Sequence, residues 1–119
     1  NIVFILVDDL GYGQLGVNGQ NKIATPNIDK LAKQGMQFTQ AYSGSTVCSP
    51  SRVSLMTGRD GRHLHSNNNA IKLRAGDVTF PQLLQEGGYE TTLIGKWGIG
   101  TTINVNDPLK MGFDSWYGF

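Results

Sequence analysis

A single cysteine, Cys48, stands among 119 residues, so an internal disulfide framework is excluded. No apolar stretch approaches the length of a membrane span. Lysine and arginine are scattered, with no basic run and no interleaved aromatics of the kind RNA-binding surfaces use. A formal net charge of +1 gives no global field to draw in nucleic acid or a membrane surface. Repeats and low-complexity tracts are lacking, and His63 and His65 are the only histidines. What remains is a composition ordinary for a globular chain, 39% apolar, at a length that suits one small domain.

The apolar, β-branched run Ile2-Val3-Phe4-Ile5-Leu6-Val7 suits a strand buried on both faces, as in a parallel sheet. Gly11, Gly13, Gly16 and Gly19 mark a long irregular loop after it. Thr25-Pro26 opens a helix by the N-cap and N1 rule, with Ile28, Leu31 and Ala32 on its inward face and Gly35 as its stop. Met36 to Tyr42 reads as a second extended segment. A helix from Pro50 ends near Thr57-Gly58, and a polar Gly/Asn loop runs on to about Asn69. Phe80-Pro81 starts a further helix, with Leu83 and Leu84 inward and Gly87-Gly88 as its stop. Tyr89 to Ile94 reads as a strand ending at Gly95-Lys96. The order β-α-β-α-loop-α-β predicts an α/β layered architecture, helices flanking a central, mostly parallel sheet. The opening directly on a strand and the stop at Trp116-Tyr117-Gly118-Phe119 both read as cuts.

Cys48-Ser49-Pro50-Ser51-Arg52 carries the densest chemistry. Ser49 as N-cap and Pro50 as N1 place Cys48 just outside a helix N-terminus, where backbone N–H groups and the dipole favour an anion. Arg52 adds a planar, permanently charged donor. Sulfur, helix end and arginine together suit an oxyanion ester. Two alternatives stand beside that. A lone cysteine is often a small core hydrophobe and the arginine a surface residue. A thiolate phosphatase is the other, but only three residues separate Cys48 from Arg52, a poor fit to the longer phosphate-encircling loop of tyrosine phosphatases.

Asp8-Asp9 falls at the carboxyl end of the first strand, where open α/β sheets place ligands. Adjacent carboxylates repel, and hard oxygen donors suit Ca²⁺ or Mg²⁺. Successive strand residues point to opposite faces, so both acids reach one ion only if the strand breaks up there. A solvated turn with two surface acids fits equally well. Gly11-Tyr12-Gly13-Gln14-Leu15-Gly16 matches G-x-G-x-x-G, with Asp29 downstream as a ribose acid. No helix pattern opens at these glycines, and Asp8 and Asp9 would repel a pyrophosphate, which counts against a dinucleotide site. Lys96, at a strand end, is a compact cation able to hold an oxyanion or simply to be solvated. His63 is either a contact for such an anion or a surface-loop residue without a role.

Cys48 to Gly58, C-S-P-S-R-V-S-L-M-T-G, resembles the signature of the type I sulfatases throughout its eleven residues. Ile5-Leu6-Val7-Asp8-Asp9-Leu10-Gly11-Tyr12-Gly13 is similar to that family's opening segment. Gly88-Tyr89-Glu90-Thr91-Thr92-Leu93-Ile94-Gly95-Lys96-Trp97 resembles its second signature. Asp107-Pro108-Leu109 and Met111 to Phe119 resemble the segment after the lysine, so four blocks in the right order cover nearly the whole chain.

The resemblance implies an alkaline-phosphatase-like fold, of which residues 1–119 would be the N-terminal part of the catalytic domain. It implies that a maturation enzyme oxidises Cys48 to formylglycine, whose hydrate attacks the sulfur of a sulfate monoester and then expels sulfate. Asp8 and Asp9 would bind the cation, Ca²⁺ or Mg²⁺, with the modified Cys48 against it. Arg52 and Lys96 would stabilise charge on the sulfate, and His63 is a candidate contact. Implied partners are a sulfated small molecule or glycan. The implied location is the periplasm, the lysosome or the outside of the cell. One position departs: many members carry histidine two residues after the lysine, and here Gly98 stands. Formylglycine-dependent phosphonate or phosphodiester hydrolases share the superfamily and form a second reading. An inactive or degenerate binding module is a third, since two carboxylates fall short of the about six to eight oxygens around Ca²⁺.

Overall fold

The computed structural model describes residues 1–64, 70–100 and 106–119. Its regular elements are helices α1 (Pro26–Gln34), α2 (Cys48–Thr57) and α3 (Phe80–Glu86), then strands β1 (Thr92–Ile94) and β2 (Ser115–Tyr117). Short 3₁₀ turns occur at Tyr12–Gln14, Gly16–Asn18, Gly61–His63 and Pro108–Met111. The chain divides into two units, Asn1–Ala41 and Tyr42–Phe119.

In the first unit, Thr25 precedes α1 and Pro26 takes its first turn, as the sequence predicts. Asp29, in that first turn, is favourably placed for the helix dipole. Its carboxylate accepts from Val17 N at 2.7 Å and from the Thr25 hydroxyl at 2.9 Å, while Thr25 Oγ1 accepts from Gly16 N at 2.9 Å. Asp29 is therefore a tether for the glycine loop. The glycines form 3₁₀ turns and open no α-helix, which removes the geometric basis of a dinucleotide site.

Two predicted strands do not form. Ile2–Val7 takes no ladder, and its side chains are 49–86% exposed. Met36–Tyr42 is likewise irregular. A strand buried on both faces exists only with neighbours, and the described residues provide none for either segment. The inward face predicted for α1 is also uncovered, with Ile28 and Leu31 exposed.

The second unit holds the core: Val53 and Met56 from α2, then Ile71, Leu73, Trp97, Ile99 and Phe113. Trp97 and Phe113 meet edge to face, centroids 6.2 Å apart. Trp97 Nε1 donates to the Asn106 carbonyl at 2.6 Å, which satisfies the buried indole. Asn106 Oδ1 in turn accepts from Leu73 N at 2.8 Å. Thr79 and Gln82 cap α3, with Gln82 Oε1 accepting from Thr79 N at 2.9 Å. Leu83, predicted inward, is exposed, and Leu84 is half-buried.

β1 and β2 pair in parallel, with Leu93 opposite Trp116. Hydrogen bonds from Gly95 N to the Tyr117 carbonyl (2.8 Å) and from Trp97 N to the Phe119 carbonyl (2.9 Å) carry the pairing past the strands themselves. The parallel pair with helices fits the α/β class predicted from the sequence.

Candidate active site

α2 begins earlier than its proline suggests. Val47, with extended backbone, is the N-cap, and Cys48 is the first helical residue. The expected Ser49 cap and the expected position of Cys48 outside the helix are both corrected. Ser51 N bonds the Val47 carbonyl at 3.1 Å and closes the first turn two residues ahead of the predicted start. Pro50 still costs no hydrogen bond, because the first four N–H groups of a helix have no intrahelical partner. The Ser49 hydroxyl is used elsewhere: it donates to the Gly98 carbonyl. Cys48 is half-buried in the turn it starts, among the N–H groups at the positive end of the dipole.

Arg52 lies one turn after Cys48, on the same helix face. Its Nη1 donates to the Lys96 carbonyl at 2.7 Å. Lys96 arrives on the far side of a 44-residue gap, delivered by the pairing that continues β1. Between them lies Gly98, at φ +65°. A Cβ there would sit 3.0 Å from Arg52 Cδ, 3.1 Å from Arg52 Nε and 3.2 Å from Lys96 Cε. The structure thus brings Arg52, Lys96 and Gly98 together beside the first turn of α2, which carries Cys48. Gly98 and the Ser49 tether are the parts that sequence reasoning missed. In the sequence the serine reads as a cap, and the glycine only as a missing histidine.

His63 sits in the 3₁₀ turn after the C-terminal end of α2, whereas Cys48 starts that helix, about 15 Å long at 1.5 Å per residue. It is exposed, with Nδ1 3.2 Å from Asp60 Oδ1. Asp60 caps that turn by accepting from Arg62 N at 2.8 Å. The side-chain hydrogen bond from Arg62, aided by the backbone one, holds the Asp60 carboxyl down at about 2. His65 lies outside the described residues.

Asp8 and Asp9 belong to the first unit, and Cys48, Arg52, Lys96 and His63 to the second. The chain turns at the two acids, with Asp9 at φ +56°. Aspartate is among the few residues that visit this left-handed region routinely. The break releases the two carboxylates from the alternation of a strand, the condition for both to face one ion. They suit a hard cation as a pair of oxygen donors. Among the described residues no three His, Cys, Asp or Glu side chains gather into a metal-holding group.

A helix N-terminus under a cysteine, with an arginine and a lysine converging beside it, is suited to a tetrahedral oxyanion. The family model described as Sulfatase matches residues 1–119. The chain belongs to the sulfatase family. It is 39% identical to N-acetylgalactosamine-6-sulfatase of Mus musculus over 99% of its own length and 25% of that protein's. Among solved structures it is similar to Ps i-CgsB, with a TM-score of 0.86 and 42% identity over 94% of this chain and 26% of that one. It is also similar to BT4656, solved in complex with its substrate D-glucosamine-2-N,6-O-disulfate, at a TM-score of 0.82 and 34% identity, covering 98% of this chain and 22% of that one. The chain therefore spans about a quarter of the length of these proteins.

Proposed function

We propose that the protein carrying this chain hydrolyses sulfate monoesters, with Cys48 as the precursor of the nucleophile. The observation that carries this reading is the convergence of Arg52 and Lys96 on Gly98 beside the first turn of α2. Arg52 is held by the Lys96 carbonyl, so its planar donor set is pre-oriented and less ordering is left to substrate binding. Lys96 brings a second positive charge to the same place. Together they bind sulfate oxygens and stabilise the charge that develops there. Converted to formylglycine by a maturation enzyme, Cys48 supplies a hydrated aldehyde in place of a thiol. Asp8 and Asp9 are the residues of this chain that would hold Ca²⁺ or Mg²⁺, which supplies Lewis acidity toward sulfate oxygens. His63, in the turn beyond the far end of α2, is a candidate contact for a substrate that extends away from Cys48. The mouse relative's name and the ligand of BT4656 both point to sulfated amino sugars, so a sulfated glycan is the favoured substrate class. The family also favours a periplasmic, lysosomal or extracellular location.

Intact-mass analysis of the full-length protein, expressed with a maturation enzyme, tests the nucleophile. The expected result is conversion of Cys48, with aryl sulfate turnover lost in Cys48→Ala. Full turnover with Cys48 still a thiol sinks the reading. Turnover of an aryl phosphonate well above that of the matching aryl sulfate would move the protein to the phosphonate hydrolases of the same superfamily.

A further inference from the structure

The segment that carries Lys96 has two edges, and both are used. Trp97 N donates to the Phe119 carbonyl at 2.9 Å, toward the continuation of β2. The carbonyls on either side of it, those of Lys96 and Gly98, face α2 instead. The Lys96 carbonyl accepts from Arg52 Nη1 at 2.7 Å, and the Gly98 carbonyl accepts from the Ser49 hydroxyl. Ser49 and Arg52 stand three residues apart, neighbours on one face of the helix. α2 thus satisfies with two side chains an edge that a neighbouring strand would otherwise take. Ser49 is the short arm of this clasp. It is 6% exposed and follows Cys48 directly, and one χ angle separates its oxygen from the backbone, so its bond to residue 98 leaves little play. The arginine arm is long and rich in rotamers by comparison.

We propose that Ser49 is a positioning residue for the oxyanion: through the Gly98 carbonyl it fastens the segment of Lys96 to the first turn of α2, beside Cys48. The inference deepens the sulfate-ester reading and rests on it only for the identity of the anion. The role of Ser49 runs through the lysine, since its hydroxyl proton is engaged by the carbonyl. Without that bond the segment swings on the longer arginine arm. The lysine must then be ordered when the anion binds, at a cost in affinity.

Inorganic sulfate is the probe, titrated by calorimetry into the full-length protein, with thermal denaturation alongside. The parent and all binding variants carry Cys48→Ala, so that conversion of the neighbouring cysteine cannot differ between them. Ser49→Ala is expected to weaken sulfate binding about fivefold. Ser49→Thr keeps the hydroxyl and is expected to stay within about twofold of the parent. Should Ser49→Ala fail to fold, Ser49→Cys, a weaker donor, carries the same expectation. Thr79→Val is the control for a merely structural loss. It removes another buried hydroxyl that donates to a carbonyl, that of Met111 at 2.6 Å, at the start of α3. It should lower the melting temperature and leave sulfate affinity within about twofold. The cycle with Lys96→Met isolates the coupling: the S49A/K96M protein should bind sulfate within about twofold of K96M. Additive losses, a Ser49→Ala protein that binds as its parent does, or a Ser49→Thr protein as weak as Ser49→Ala overturn the proposal. So does a Thr79→Val protein whose sulfate affinity falls as far as that of Ser49→Ala. Aryl sulfate turnover with Cys48 intact keeps this proposal apart from the sulfatase reading. Coupling without turnover keeps Ser49 in its role and discards that reading, and turnover without coupling does the reverse. A parent that binds no sulfate overturns the proposal whatever the turnover.

Discussion

Ser49 illustrates how a residue's local preference and its actual use can part company. Beside a proline it reads as a helix cap, yet it is almost fully buried and its hydroxyl donates to a carbonyl 49 residues away. Local sequence holds no trace of a bond made over that distance. Arg52 and Lys96 are legible as cations able to hold an oxyanion, but their meeting over Gly98 is not, for the same reason. Removing the tether with Ser49→Ala leaves the Gly98 carbonyl without that partner and should cost about 1 kcal/mol. It should also lower sulfate affinity, because the segment carrying Lys96 loses its anchor to α2. Denaturant melts and sulfate titrations of the full-length variant check both. Asp60 offers a residue-scale test at the other end of α2. Its carboxyl is held at about 2 by Arg62, below its ordinary value near 3.8. A depressed carboxylate contributes stability that is present above the unfolded value and is lost as pH falls through the folded one. The window here is thus about pH 4 down to about pH 2. The carbon-13 shift of the Asp60 carboxyl should titrate near the bottom of that window, and in Arg62→Gln it should move back toward 3.8.

At the scale of elements, the helices were readable because proline and glycine punctuate them locally. Thr25-Pro26 opens α1, Phe80-Pro81 opens α3, and Gly58 closes α2 at φ +67°. Strands answer to partners instead. β1 forms because β2 lies beside it, in a shorter span than the predicted Tyr89–Ile94, whereas Ile2–Val7 has the better strand composition and no ladder. Asp114, which composition did not single out, is the link among three elements. Its carboxylate accepts from Thr91 N at 2.7 Å, from the Thr91 hydroxyl at 2.9 Å and from Gln85 Nε2 at 2.7 Å, joining α3, the entry to β1 and the entry to β2. The backbone hydrogen bond from Thr91, then its hydroxyl, holds the Asp114 carboxyl below the usual carboxylate range. The stability it brings is therefore present at neutral pH and fades as the solution is acidified below the ordinary carboxylate value. Asp114→Ala should lower the denaturation midpoint at pH 7, and the gap from the wild type should narrow in acid. Parallel urea melts at the two pH values test this.

On the scale of the whole molecule, most of the apolar surface of residues 1–41 is uncovered. The six side chains from Ile2 to Val7 form a continuous exposed run, the composition and length that promote self-association. The isolated 119 residues should associate at moderate concentration, and lysine at Val3 and Ile5 should raise the concentration at which they remain monomeric in size-exclusion chromatography. The same 119 residues should bind Ca²⁺ only weakly, because two carboxylates alone fall short of the about six to eight oxygens that the ion takes. In the full-length protein, Asp8→Asn and Asp9→Asn should each weaken calcium binding in calorimetry. Strong calcium-dependent stabilisation of the isolated chain would refute this view of the metal site.

The pairing that runs from β1 through Trp97 ties the chemistry to the core in one further way. Lys96 and Trp97 are consecutive on a ladder anchored at Gly95–Tyr117 and Trp97–Phe119. A slip of one residue would drive the lysine into the place of a buried indole and turn the indole out to the solvent. Misalignment of this lysine is thereby coupled to loss of the hydrophobic interior. The fold proofreads the register of this segment: a molecule stable enough to persist already has the lysine turned away from the interior.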